Sequence, residues 1–158
     1  MLVATTTISV NAAFLQEIKQ DNVELREVLS ELSNRLLRRR PRLSDAREMA
    51  DLLVRLRDQL AVHFSLEEAF GYFENAVTIA PRLSERADEL RNQHDLFYQD
   101  ICAICEHAEQ LLYHEASPRT LRQVATRYAD FHDALMQHES AETELIMEAF
   151  DDDIGVGD

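Results

Sequence analysis

Residues 131–150 read FHDALMQHESAETELIMEAF, and this stretch decides the fold. Counting from just before it, Val124, Tyr128, Phe131, Leu135, His138, Glu142, Leu145 and Ala149 recur at alternating steps of four and three. That period gathers them on one face of a long α-helix, the face a bundle buries. Two members break the apolar stripe. His138 and Glu142 stand one turn apart on the same face. An imidazole and a carboxylate in mid-stripe are costly unless something compensates them, and a bound metal ion does so.

The rest of the chain repeats the arrangement. A first helix is expected from about Ala12, capped by Asn11, to Arg39, where Pro41 stops it. Its stripe is Leu15, Ile18, Asn22, Leu25, Leu29, Leu32 and Leu36, with Asn22 the polar interruption. Ser44 is expected to cap a second helix reaching Ile79 before Pro81. There Leu56, Leu60, His63, Glu67, Phe70 and Glu74 form the stripe, and His63-x-x-x-Glu67 repeats the spacing of His138 and Glu142. Gly71, just beyond, allows close packing or a local bend. Ser84 is expected to cap a third helix to about Glu115, with His94 breaking a stripe that runs from Leu83 to Leu111. Ser117-Pro118 places a cap residue before a proline at the first helical position, and the fourth helix ends near Phe150. Short connections make sequential helices antiparallel. The expectation is an all-α, up-down four-helix bundle over residues 1–150, with residues 151–158 as an acidic, disordered tail.

The interruptions also repeat. One polar residue, then a His-x-x-x-Glu pair, then His94, then a second pair: the intervals bring all six positions to one level of an antiparallel bundle. Two carboxylates facing each other in a core repel, or rise in pKa and protonate. A cation between them removes the conflict. Three imidazoles and two carboxylates, with no thiolate, suit Fe, Mn or Zn better than Cu(I) or Ca. Five protein donors leave room for water or a small ligand on the metal.

Composition narrows the partners. Three glycines, three prolines and no tryptophan accompany a net charge of −14, which argues against nucleic acid, since phosphate backbones need clustered Lys and Arg. The basic cluster Arg35, Arg38, Arg39, Arg40 and Arg42 falls where the first helix ends, and there positive charge suits the helix dipole. No window approaches the ~20 apolar residues of a membrane span. The N-terminus lacks the pattern of a signal peptide, and two cysteines make no disulfide framework. A cytoplasmic location is expected, with no membrane partner.

With these residues in place, the chain resembles the hemerythrin-like HHE cation-binding domains over about residues 12–150. The resemblance rests on the order His, His-x-x-x-Glu, His, His-x-x-x-Glu, and on HFSLEEAFGYFENAVTIAPRL (63–83) and LRNQHDLFYQDI (90–101). It implies a non-haem diiron centre in a four-helix bundle, with O2 or another diatomic bound, or iron, oxygen or nitric oxide sensed. It places His63, Glu67, His94, His138 and Glu142 on ligand positions, with Glu67 and Glu142 as bridges. Asn22 stands at the family's first histidine, so the site holds one or two iron ions, with Mn or Zn as alternatives. Around His94, positions i−4 and i+4 are Leu90 and Tyr98, where oxygen carriers have a second histidine in this helix. Binding or sensing is favoured over turnover. The alternatives are an iron-dependent oxidase, or a peroxide- or NO-reducing enzyme, of the same fold, and a partner-binding bundle with a degraded site.

Other candidates are set aside. His107, His114 and His132 point away from the ligand stripe and are expected at the surface. Cys102 and Cys105 are expected to pack in the core, and Glu68 and Glu139 to be exposed or to touch the ligands from outside. Tyr98 is expected to pack or to reach a metal-bound ligand, and Tyr72 and Phe73 to lie in the core or at its rim.

Overall fold

The structure, a computed structural model, describes residues 23–37, 40–69, 72–113 and 116–156. Its helices are α1 (23–36), α2 (Ala46–Ala69), α3 (Tyr72–Ile79), α4 (Ser84–Glu109) and α5 (Pro118–Val156). Three 3-10 turns, Leu43–Asp45, Pro81–Leu83 and Gln110–Leu112, sit at the joints. No strand occurs among the described residues, and no helix among them is long and apolar enough to cross a membrane.

The apolar stripes fold as the periodicity requires. Leu25, Leu29, Leu32 and Leu36 of α1 are buried together with Leu53, Leu56 and Leu60 of α2. Ile101, Ile104 and Ala108 of α4 and Val124, Tyr128, Phe131 and Leu135 of α5 complete this core. The pairings are antiparallel. Gln59 of α2 donates to Glu24 of α1 at 3.1 Å, while Arg35, further along α1, meets Glu48, earlier on α2. On α4 and α5, Arg86 pairs with Glu148, Gln93 with His138 and His107 with Arg127, so numbers rise along one helix as they fall along the other. Tyr128 ties α5 to α1, donating its hydroxyl to the Leu29 carbonyl at 3.1 Å and lying 3.1 Å from the Ser33 hydroxyl.

A second apolar cluster lies further along the bundle: Ala76, Ala80, Leu83, Ala87, Leu90, Leu145 and Ala149. Along α5 the main core ends at Leu135 and this cluster resumes at Leu145. Along α4 the two meet between Leu90 and Ile101. The histidine layer occupies the gap.

The joints differ from expectation in five places. The helix expected to run on to Ile79 is described as two, α2 ending at Ala69 and α3 starting at Tyr72. Ser44 lies inside a 3-10 turn that the Asp45 N–H closes onto the Arg42 carbonyl, so α2 starts later, at Ala46. Ser84 is the first residue of α4, with Leu83 at the cap position and no side-chain cap bond, because Pro81 already starts the turn leading into the helix. The third helix ends at Glu109 and tightens into a 3-10 turn through Leu112, a common ending for an α-helix. α5 continues to Val156, into the stretch expected as a disordered tail, since no proline or glycine interrupts the chain between Pro118 and Gly155. By contrast, Ser117 caps α5 as the sequence indicates, accepting from the Thr120 N–H at 3.1 Å. Asn11, Asn22, Arg38, Arg39, Phe70, Gly71 and His114 lie outside the described residues, as do the side chains of Tyr72, Phe73 and Glu74.

Candidate metal centre

The buried polar residues among those described are His63, Glu67, His94, His138 and Glu142, each at most 5% exposed. These are the five that interrupt the stripes of α2, α4 and α5. Helical spacing brings each pair together: His63 Nε2 lies 2.7 Å from Glu67 Oε1, and His138 Nε2 lies 2.7 Å from Glu142 Oε1. His94 joins the pairs across the bundle. Its Nε2 is 3.2 Å from Glu67 Oε2 and 3.4 Å from Glu142 Oε1. Three imidazoles thus turn their Nε2 atoms toward two carboxylates.

The outer faces of two rings are held. Gln93 Oε1 accepts from His138 Nδ1 at 2.7 Å, and Glu68 Oε1 lies 3.3 Å from His94 Nδ1. An acceptor on Nδ1 keeps the proton there and leaves the Nε2 lone pair facing inward, the usual preparation of a ligating histidine. Phe64 stacks on His94 with centroids 4.1 Å apart and planes 10° from parallel. Phe97 stands edge-on to His138 at 5.1 Å. These rings wall the cluster off on the side of the main core.

Burial works to raise the Glu67 carboxyl, but the adjoining imidazoles of His63 and His94 outweigh it and hold the group at about 2. Burial works to lower His94, and Glu142 and Glu67 outweigh it, raising the imidazole to about 9. Glu139 is raised chiefly by burial and further by Glu142 and Glu67, with His63 and Arg26 opposing.

Two atoms do not fit a closed hydrogen-bond network. Glu67 Oε2 and His138 Nε2 are buried without a hydrogen-bond partner among the described residues, although charged or polar neighbours stand within 3.2 Å of each. Both are lone-pair atoms aimed into the cluster, which is the condition a cation satisfies. His94, His138 and Glu142 each offer one donor atom, all within 4.8 Å of one another. The residues present therefore fit a metal ion.

Sequence reasoning missed two contributors, Phe64 and Gln93, whereas Glu68 touches a ligand from outside as one of its expected placements. Phe64 lies four residues after Leu60, so helical spacing placed it beside the stripe. Gln93 and Glu68 adjoin His94 and Glu67, but only the pairing of helices shows what they touch. Glu68 is half-exposed yet reaches His94, and Glu139 is half-buried beside the cluster. Tyr98 is a correction: it is 42% exposed, neither packed nor within the cluster. Cys105 is buried as expected, and Cys102 is partly so. His107 and His132 are half-buried rather than solvated, because Arg127 lies over one and the Tyr128 ring beside the other.

Fold and site together define an all-helical bundle with a buried, cation-fit histidine and carboxylate layer. The model of the hemerythrin HHE cation-binding domain matches residues 13–107, more than half of the chain, and the chain belongs to that family. The match includes His63, Glu67 and His94 and ends before His138 and Glu142, which the folded chain brings to the same cluster. Comparison with curated proteins and with solved structures returns no match.

Proposed function

We propose that this protein is a non-haem iron protein that binds or senses O2 or another small diatomic at the histidine layer. His63, Glu67, His94, His138 and Glu142 are the ligands in this reading, with Glu67 and Glu142 able to reach more than one ion. Mn or Zn are the alternative metals. The observation that carries it is the pair of buried lone-pair atoms, Glu67 Oε2 and His138 Nε2, left without hydrogen-bond partners in a cluster of ligand-type side chains. Bound iron supplies a coordination position for the diatomic, since five protein donors do not fill two six-coordinate ions. The protein's own contribution is to hold the imidazole Nε2 atoms inward and to keep bulk water off through Phe64 and Phe97. Binding or sensing is favoured over turnover on the ligand ring itself, whose few protein donors leave a position for a small ligand.

The test is the metal content of protein purified without air from iron-supplemented cells, with absorption spectra before and after air. One or two iron ions per chain and a band that needs O2 are expected. Iron-free protein that takes up none on reconstitution overturns the proposal.

A further inference from the structure

Far along α4 and α5 from the histidine layer lies a groove of about 690 Å³, lined by His107, Arg119, Arg122, Gln123, Thr126 and Arg127. Every lining side chain can donate a hydrogen bond and none is a carboxylate. Three guanidiniums with permanent charge thus converge on one surface of a chain whose net charge is −14.

Five arginines elsewhere pair with carboxylates. Arg35 closes on Asp45 and Glu48, Arg57 on Asp58, Arg82 and Arg86 on Glu148, and Arg91 on Asp88. None of Arg119, Arg122 and Arg127 forms an ion pair with a carboxylate among the described residues. Arg127 instead points Nη1 at His107 Nδ1, 3.4 Å away. Two of these arginines also sit at the start of α5, whose first turn contains no acidic residue. The backbone dipole already makes that end positive, and like charges one turn apart disfavour the helix further.

We propose that the groove binds a small phosphate-class dianion, either free phosphate or the phosphoryl end of a small ester. Guanidinium forks match phosphate oxygens geometrically, and Gln123 and His107 add donors around them, while the Thr126 hydroxyl donates to the Arg122 carbonyl. The groove falls in the ~300–1,000 Å³ range of small-molecule sites, so an organic group beyond the phosphoryl has room. Long nucleic acids are disfavoured by the charge of the rest of the surface. Arg127 and His138 are 11 residues apart on α5, about 16 Å at the helical rise, so this site stands apart from the metal centre and does not depend on it.

The experiment is an amide NMR titration of the full chain with inorganic phosphate at fixed ionic strength, repeated with adenosine monophosphate. Saturable shifts confined to the residues around His107 and from Arg119 to Arg127 are expected. Arg122→Ala and Arg127→Ala should each weaken binding about tenfold, the size of a lost charge-assisted hydrogen bond. Both variants should keep the wild-type circular dichroism spectrum, and Arg55→Ala should bind as wild type. Tighter binding of the monophosphate identifies an ester as the ligand class, and equal binding identifies free phosphate. Shifts that never saturate, or that chloride or Arg55→Ala alters equally, overturn the proposal.

Discussion

Gln93 Oε1 accepts a hydrogen bond from His138 Nδ1 at 2.7 Å, across the α4–α5 interface. An amide oxygen accepts only, so the imidazole proton is on Nδ1 and the Nε2 lone pair faces Glu142 Oε1, 2.7 Å away. Two lone pairs at that distance repel unless a cation or proton stands with them. Gln93 therefore sets the state in which His138 can ligate.

Gln93→Leu should lower metal affinity about 10- to 100-fold, the usual cost of removing a partner behind a ligating histidine. Chelator competition measures it. Gln93→Glu, which keeps an acceptor at the same reach, should restore affinity. Equal affinity in wild type and Gln93→Leu would show that packing alone orients His138.

The layout of this site was largely legible from spacing. His63, Glu67, His94, His138 and Glu142 each break an apolar stripe, and burying a stripe forces its interruptions inward too. What spacing could not give is which neighbours touch across helices. Gln93 is one residue before His94 and 45 before His138, and only the antiparallel register of α4 and α5 makes it a partner of the latter. The helix starts were less legible for a related reason. Ser44 and Ser84 have the chemistry of caps, but a 3-10 turn stands ahead of each helix, Leu43–Asp45 before α2 and Pro81–Leu83 before α4, and moves the serines out of the cap position. Ser117 keeps its role because Pro118 follows it directly as the first helical residue. The arginine groove was invisible along the chain, where Arg35 to Arg42 form the denser basic cluster.

Removing the metal should destabilise the fold, because a cation bound only by the native cluster adds to its stability. At free metal about 100 times the dissociation constant the linkage is about 2.7 kcal/mol. In a domain of this size that corresponds to about 5–10 °C in Tm. Thermal melts with and without chelator measure it, and His63→Ala and His138→Ala should abolish the difference. A melt that neither chelator nor substitution shifts would indicate a bundle that folds without regard to metal.

The Tyr128 hydroxyl is a second, metal-independent constraint. It is fully buried and joins α5 to the Leu29 carbonyl and the Ser33 hydroxyl of α1. Tyr128→Phe keeps the ring and strands those partners, so a loss of about 1–2 kcal/mol is expected in urea denaturation. Leu135→Ala, which opens a cavity in the same core, should cost about 2–5 kcal/mol. If Tyr128→Phe unfolds at the wild-type midpoint, the link between α1 and α5 is carried by apolar packing alone.

Alkaline pH should weaken the fold through two buried acids. Burial pushes the Cys105 thiol from 9.0 up to about 11. Burial pushes the Tyr128 phenol from 10.0 up to about 12, with the Ser33 hydrogen bond opposing. Both groups stay protonated in the native core at a pH where the unfolded chain already ionises. Their contribution is complete below about pH 9, declines as pH rises through the unfolded values, and is gone above about pH 12. Two units correspond to at most about 3 kcal/mol for each group. Urea midpoints of the metal-free chain from pH 8 to 12 should therefore fall steeply above pH 9. In Cys105→Ala/Tyr128→Phe the curve should start lower and fall less. Alkylation gives an independent readout: at pH 8 the half-buried Cys102 should react well before Cys105, which waits on unfolding. Equal rates for the two thiols in the native chain would mean that the core around Cys105 opens far more readily than its burial implies.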